Sequence, residues 1–232
     1  MKNLFLAASV VLLLAVQGAA QTSETVHVAA GNDIAAAVSA YGIYRLPVFT
    51  KGTVFFSDGK LAKENLNYNI MNDQVMYIDQ KGDTLAVAFP EEIKKIDING
   101  LILYYTKKGW LEDIAAIPSL NLLVKRTINI HYAKEGAFGI ANSTNGIDSY
   151  TTFTSNNASY HLVVSEDAMI KKITAYYLLT TNDSLLPATK SNFLDRFPGN
   201  KKNIEAYLAN NKVNFSKSQD LIQLFSVAVS GN

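Results

Sequence analysis

Six carboxylates stand in adjacent pairs, Glu91-Glu92, Glu112-Asp113 and Glu166-Asp167. Paired acids are the equipment of glycoside hydrolysis, in which one protonates the leaving oxygen and the other attacks or activates water. Neighbouring residues on a strand point to opposite faces, so none of these pairs is built to flank one substrate. Each reads more simply as solvation at a turn or a helix start. The three histidines, His27, His131 and His161, include two in strand-like runs, "INIHY" and "SYHLVV", and none stands at a zinc spacing such as H-E-x-x-H. No serine sits in G-x-S-x-G, and "EGAFGIANSTNG" lacks the G-x-x-x-x-G-K-[ST] phosphate loop. The expectation is a non-catalytic protein without metal or cofactor; a hydrolase whose acids assemble from distant strands is the lesser alternative.

Binding chemistry has better candidates. Residues 133–159 form the longest irregular stretch, rich in Gly, Ser, Thr and Asn, and residues 134–159 carry Phe138, Tyr150 and Phe153 as apolar anchors. Irregular loops on a β scaffold are where recognition usually sits. Trp110, the single tryptophan, has the shape to stack on a sugar or another flat ligand, but its neighbours Leu111 and Ile114 fit a core anchor. Asp183-Ser184-Leu185 and Asp83-Thr84-Leu85 resemble the D-[ST]-apolar acceptor of periplasmic O-glycosylation in Bacteroidota. Ser184, in a loop, is the better acceptor of the two.

These residues have to be placed by strands. From residue 53 the chain alternates and turns. "TVFF" precedes a Ser57-Asp58-Gly59 turn, after which Leu66, Tyr68 and Ile70 face one way and Asn67 and Asn69 the other, toward water. "QVMYI" is apolar on both faces and suits a sheet centre. "TLAVAF" puts Leu85, Val87 and Phe89 on one side, "KKIDIN" alternates up to Gly100, and "LILYYT" is again nearly continuous. "WLEDIAAI" reads as a short helix or loop before Pro118, and "LNLLVKRTINIHY" and "MIKKITAYYLLTTND" as long strands. Short turns between strands predict an antiparallel meander. The fold class is therefore α+β, mainly β: a curved antiparallel sheet, open or rolled toward a half-barrel or barrel, with a C-terminal pair of short helices.

Those helices begin near residue 190, where the period changes. "SNFLDRF" starts after Ser191. "NKKNIEAYLANN" places Ile204, Tyr207 and Leu208 on one face behind an Asn200 cap. "SKSQDLIQLFSVAVSG" opens with Ser216 and Gln219 at capping-box spacing and carries Leu221, Ile222, Phe225 and Val229. Two such helices cannot bury their apolar faces alone, so they pack on each other and on the sheet. A further short helix is expected over residues 33–40.

Residues 1–20 read as a secretory signal peptide: Lys2, an apolar run over residues 4–16, then Gly18-Ala19-Ala20 before Gln21. Thirteen helical residues reach only about 20 Å, short of a hydrocarbon core of about 30 Å. The 232-residue chain has no cysteine, which removes disulfides, thiolate ligands and a lipid-modified cysteine. It carries 21 Lys+Arg against 20 Asp+Glu, and a near-neutral balance provides no field for nucleic acid or an anionic membrane. The expected layout is a leader, a partly flexible segment over 21–50, and one β-rich domain over 51–232, with no membrane span after cleavage.

The stretch "GTVFFSDG…LNYNIMNDQ" and the C-terminal "FPGNKKNIEAYLANNKVNFSKSQDLIQLF" resemble a group of exported Bacteroidota proteins, of G-x-V-x-F-x-D-G … L-N-Y-N-I type, to which no activity is attached. The likeness covers about half of the chain after the leader and rests on structural motifs. It implies a β-rich protein in the periplasm or outside the cell, and it supplies no catalytic residue. Three functions are consistent with these readings: a non-catalytic binding or structural protein for an envelope protein or a small apolar or glycan ligand, a lipid carrier with Ala86 and Ala88 lining a barrel-like cavity, and the hydrolase.

Overall fold

The computed structural model describes residues 21–29, 37, 42–132 and 168–230. Residues 1–20, read above as a leader, and Phe138, Tyr150, Phe153, His161, Glu166 and Asp167 lie outside them, as does the expected 33–40 helix apart from Ala37, which is helical. The strands in chain order are β1 (Gln21–Val28), β2 (Thr50–Phe56), β3 (Leu61–Asn69), β4 (Gln74–Ile78), β5 (Thr84–Ala86), β6 (Ile93–Ile98), β7 (Leu101–Thr106), β8 (Gly109–Ile117), β9 (Leu120–Tyr132), β10 (Ala168–Thr180) and β11 (Leu185–Pro187). Three helices follow, α1 (Lys190–Arg196), α2 (Lys201–Asn210) and α3 (Ser218–Val229).

Turn chemistry sets the strand ends. Asn99 and Gly100, between β6 and β7, both take positive φ, 52° and 92°, as a two-residue hairpin loop that matches strand twist demands. Between β4 and β5 the Asp79 side chain closes the turn, its Oδ1 accepting from the N–H groups of Lys81 and Asp83 at 2.9 and 2.8 Å.

All the pairs are antiparallel, in the order β1-β10-β9-β8-β7-β6-β2-β3-β4-β5, with β11 also on β10. The sheet is open, with β1 and β5 as its edges, and is not a barrel. The single meander expected is broken twice: β6 returns to pair with β2 instead of β5, and β1 pairs with β10 instead of β2. Three local expectations are corrected by this order. Residues 109–117 form strand, not helix or loop, because alternate side chains there meet two different apolar layers. "QVMYI" lies next to the edge, not at the centre. "TLAVAF" pairs only over Thr84–Ala86, where every residue is exposed. Ala86 and Ala88 are both exposed, so they line no cavity, and the lipid-carrier reading loses the feature that favoured it.

Burial shows how the sheet bends. One core gathers Val28, Val54, Leu66, Tyr68, Val75, Ile96, Trp110, Ile128 and Ile170, which come from both ends of the strand order. Strands so far apart can share a core only if the sheet folds over on itself. The second core joins Leu122 and Val124 of β9 and Tyr176 and Leu178 of β10 to Phe193, Ile204, Leu221, Leu224 and Phe225 of the helices. The helices thus pack on each other and on the sheet, as their amphipathic faces require. Both cores lie on the same side of β9, since Leu122, Val124 and Ile128 are separated by even numbers of residues. Each 13-residue strand, β9 and β10, therefore serves the helices with one half and the folded-over sheet with the other.

Capping departs from expectation. Thr189, not Ser191, caps α1, accepting from the N–H of Asn192 at 3.3 Å. Asn200 stands at the start of α2 but makes no side-chain cap there; it is buried, and its Nδ2 donates to the carbonyls of Val227 and Ala228 in the last turn of α3, at 2.6 and 3.1 Å. It satisfies orphan carbonyls of one helix from the residue that precedes another. Ser216 caps nothing: α3 begins at Ser218, and Asp220 instead accepts from the N–H of Asn214 at 2.8 Å.

Candidate functional site

Between the two cores a polar belt crosses the inner face of the sheet. On β9 the inward series reads Leu122, Val124, Arg126, Ile128, so Arg126 separates the residues of one core from those of the other. On β8 the same role falls to Glu112, opposite Leu103 and Val124, with Trp110 on one side and Ile114 on the other. Arg45 arrives from outside the sheet order, on the segment that precedes β2.

That segment is held by β3. Arg45 N–H donates to the Tyr68 carbonyl and Ile70 N–H to the Ile43 carbonyl, each at 2.8 Å. The Asn67 side chain does the rest: its Oδ1 accepts from Leu46 N–H at 3.0 Å, and its Nδ2 donates to the Leu46 carbonyl at 2.9 Å. Asn67 and Asn69 are each 1% exposed. The expectation that they face water is wrong. The outer side of β3 is covered, and the amides survive burial because backbone groups use them. Asn69 Oδ1 accepts from the N–H groups of Met71 and Asn72 at 3.1 and 3.0 Å and so shapes the β3–β4 turn.

Glu112 is consequently gripped from two sides. Arg45 donates through Nε and Nη2 to its two oxygens, both at 2.8 Å, and Arg126 Nε reaches Oε2 at 3.1 Å. The Glu112 side chain is 9% exposed, those of Arg45 and Arg126 33% and 29%. Burial pushes the Glu112 carboxyl up, but the Arg45 hydrogen bonds and the charges of both guanidiniums outweigh it and hold it below the ordinary carboxylate value. Glu112 is therefore an ionised strut, not the solvated turn acid that the sequence suggests.

A second knot lies beside it. The β8–β9 ladder stops at Glu112 opposite Val124, and the β3–β4 turn fills the fork that opens there. Asp73 Oδ1 accepts from Trp110 N–H at 3.2 Å, from the Tyr68 hydroxyl at 2.8 Å and from Lys125 Nζ at 2.5 Å, while Lys125 Nζ also reaches the Trp110 carbonyl at 3.3 Å. Side chains thus serve both backbone groups of Trp110. Burial first, and then the Asp73 charge, push the Tyr68 hydroxyl far above the usual phenol value; burial lowers Lys125, with Asp73 opposing.

The other singled-out residues are placed apart from this site or play different parts in it. Trp110 is 3% exposed, with its ring 5.2 Å from Tyr105, in the position of a core anchor. Asp113 points away from Glu112; its Oδ2 accepts from Asn121 at 2.7 Å, its Oδ1 is buried without a hydrogen bond, and burial pushes its carboxyl up. Glu91 and Glu92 are exposed in a 3-10 turn, Pro90–Glu92. His27 is exposed on β1 and His131 half-buried on β9. Among the described residues no three His, Cys, Asp or Glu side chains gather where they could hold a metal. Ser184 ends a tight turn, its N–H donating to Thr180 Oγ1 at 3.2 Å, after Asp183 at φ 58°. An open hollow of about 450 Å3 lies at the end of α2, bordered by Leu208, Lys212 and Phe215, apart from the polar belt.

Sequence pattern assigned none of Arg45, Arg126, Asn67, Asp73 and Lys125 a part in a site, and it read Asn67 as a solvated strand residue. One signal was present: the chain has only three arginines, Arg45, Arg126 and Arg196, and two of them meet at one carboxylate. Bidentate, always-charged guanidinium is the partner a buried carboxylate needs. Among the described residues no helix is long and apolar enough to cross a membrane. Comparison with protein-family models, with curated proteins and with solved structures finds nothing that matches the chain.

Proposed function

We propose that the chain is an exported, non-catalytic binding protein of the cell envelope. One observation carries this reading: the described acids, phenol and amine that lie close together are bound to one another. Glu112 has both oxygens on arginine, Asp73 has Lys125, Tyr68 and the Trp110 N–H on one oxygen, and the Tyr68 hydroxyl is buried. A general acid needs a proton to give and a general base an open lone pair beside substrate. An ionised Glu112 clamped by two guanidiniums has neither, so the polar belt serves to brace a scaffold. Export rests on the leader-like residues 1–20.

The test is recovery of the tagged chain from the envelope of a Gram-negative host, with intact mass and mass spectrometry of whatever accompanies it. A mature chain beginning at Gln21 that brings a protein, glycan or lipid in fixed ratio supports the proposal. Retention of residues 1–20 overturns export. Hydrolytic turnover that disappears on changing Glu112, Asp113, Glu166 or Asp167 to alanine, in a variant that remains folded, overturns the non-catalytic reading. Loss of the companion on deleting residues 140–147 assigns capture to the segment that carries Phe138 and Tyr150.

A further inference from the structure

A sheet edge is a row of backbone donors and acceptors able to template another strand, and proteins blunt such edges with short strands, lysines, prolines or bulges. The two edges here differ. β5 is three residues long, with Lys81 and Asp83 in the turn just before it. β1 runs eight residues in unbroken register against β10, from Gln21 opposite Ala175 to Val28 opposite Ala168, and contains no lysine, proline or glycine. Residues 22–27 are exposed, and only Val28 reaches the core. Among the described residues no strand lies along the outer side of β1.

We propose that β1 is the contact of a symmetric dimer, in which β1 of a second copy adds antiparallel along this edge about a two-fold axis through Thr25. The sequence of the strand argues for a second copy. Antiparallel strands related by a two-fold axis perpendicular to the sheet keep the same face up, so residues separated by an even number stand opposite each other. A register centred on Glu24 would set two carboxylates face to face. A register centred on Thr25 sets threonine against threonine, Glu24 against Val26, Ser23 against His27 and Thr22 against Val28, with no like charges opposed. Facing strands of seven residues bury little area, so the dimer depends on concentration and is not obligate.

Sedimentation of the exported chain over a wide concentration range, alongside T25E and T25K, tests this, with circular dichroism as the check on folding. Thr25 stands opposite Lys171 within its own chain, so the new carboxylate in T25E finds an intramolecular partner while meeting its own copy across the two-fold axis. A reversible monomer–dimer equilibrium in the parent chain, weakened at least tenfold in T25E and restored when T25E and T25K are mixed, supports the proposal. Should T25K fail to fold, T25E alone decides. A parent chain that stays monomeric throughout overturns it, as does a T25E that dimerises like the parent. An extended segment of another protein found on β1 in place of self-association also overturns it.

Discussion

A β-carbon on Gly109 would stand 1.7 Å from Asp73 Oδ2 and 2.9 Å from Lys125 Nζ. The first residue of β8 is therefore glycine for two reasons: its φ of 80° is one that side chains resist, and the carboxylate that plugs the fork between β8 and β9 occupies the space a side chain would take. Gly109→Ala should cost about 3 kcal/mol, a sum of backbone strain and a displaced ion pair. Gly59→Ala supplies the comparison. Gly59 has a similar φ of 88° with nothing within 4 Å of the added carbon, so its cost should stay near 1 kcal/mol. Denaturant midpoints of the two variants decide the matter, and equal losses would mean that the approach of Asp73 does not count.

Asn67→Ala should destabilise by about 2 kcal/mol, because it leaves the Leu46 N–H and carbonyl without their partner in a covered site. Asn67→Asp should be no rescue, since a carboxylate can accept from Leu46 N–H but repels its carbonyl. Thermal melts measure both. A loss below about 0.5 kcal/mol for alanine, the cost of trimming a solvated strand face, would restore the wet-face reading of β3.

The period-two alternation of β2, β3, β6 and β9 was legible because burial on one face leaves its mark on composition. The helical pair was legible through Ile204, Leu221 and Phe225 for the same reason. Alternation says nothing of what lies over the second face. In "LNYNI" the amides were read as wet when residues 43–46 cover them, and in "WLEDIAAI" the acids hid a strand. Glu112 looks like a surface residue in any local window because its two arginines lie 67 residues before it and 14 after. Long-range pairing of charge is a property of the folded-over sheet and has no local period, so the braced belt could not be read from sequence.

Glu112→Gln should cost about 2 kcal/mol near neutral pH. Removing one partner of a buried ion pair costs about 3–5 kcal/mol, and the partial exposure of both arginines reduces this through solvent screening. The sign with pH follows from the lowered carboxyl. A group held below its unfolded value contributes stability above the unfolded pKa and loses it as pH falls through the folded one. The parent should therefore lose stability on acidification below about pH 4, and the difference between parent and Glu112→Gln should shrink over that window. Urea titrations at pH 7 and pH 3 measure it; a constant difference would mean that the Glu112 carboxyl titrates in the fold as it does in the unfolded chain.

Tyr68→Phe removes one hydroxyl from Asp73 and leaves Trp110 N–H and Lys125 in place. A cost of about 1 kcal/mol is expected at neutral pH, that of one hydrogen bond to a charged acceptor whose other partners remain. The alkaline limb carries the sharper signature. Burial and the Asp73 charge raise the phenol in the folded state, so its contribution is complete below the unfolded value of about 10 and is lost as pH rises beyond it. Parent and variant should accordingly converge as the solution is taken above about pH 10, with the parent falling faster, because only its unfolded chain gains a phenolate at this position. Parallel slopes for the two proteins through that range would show that Tyr68 ionises in the folded state as freely as in water, and would remove the hydroxyl from the knot that joins β3 to β8.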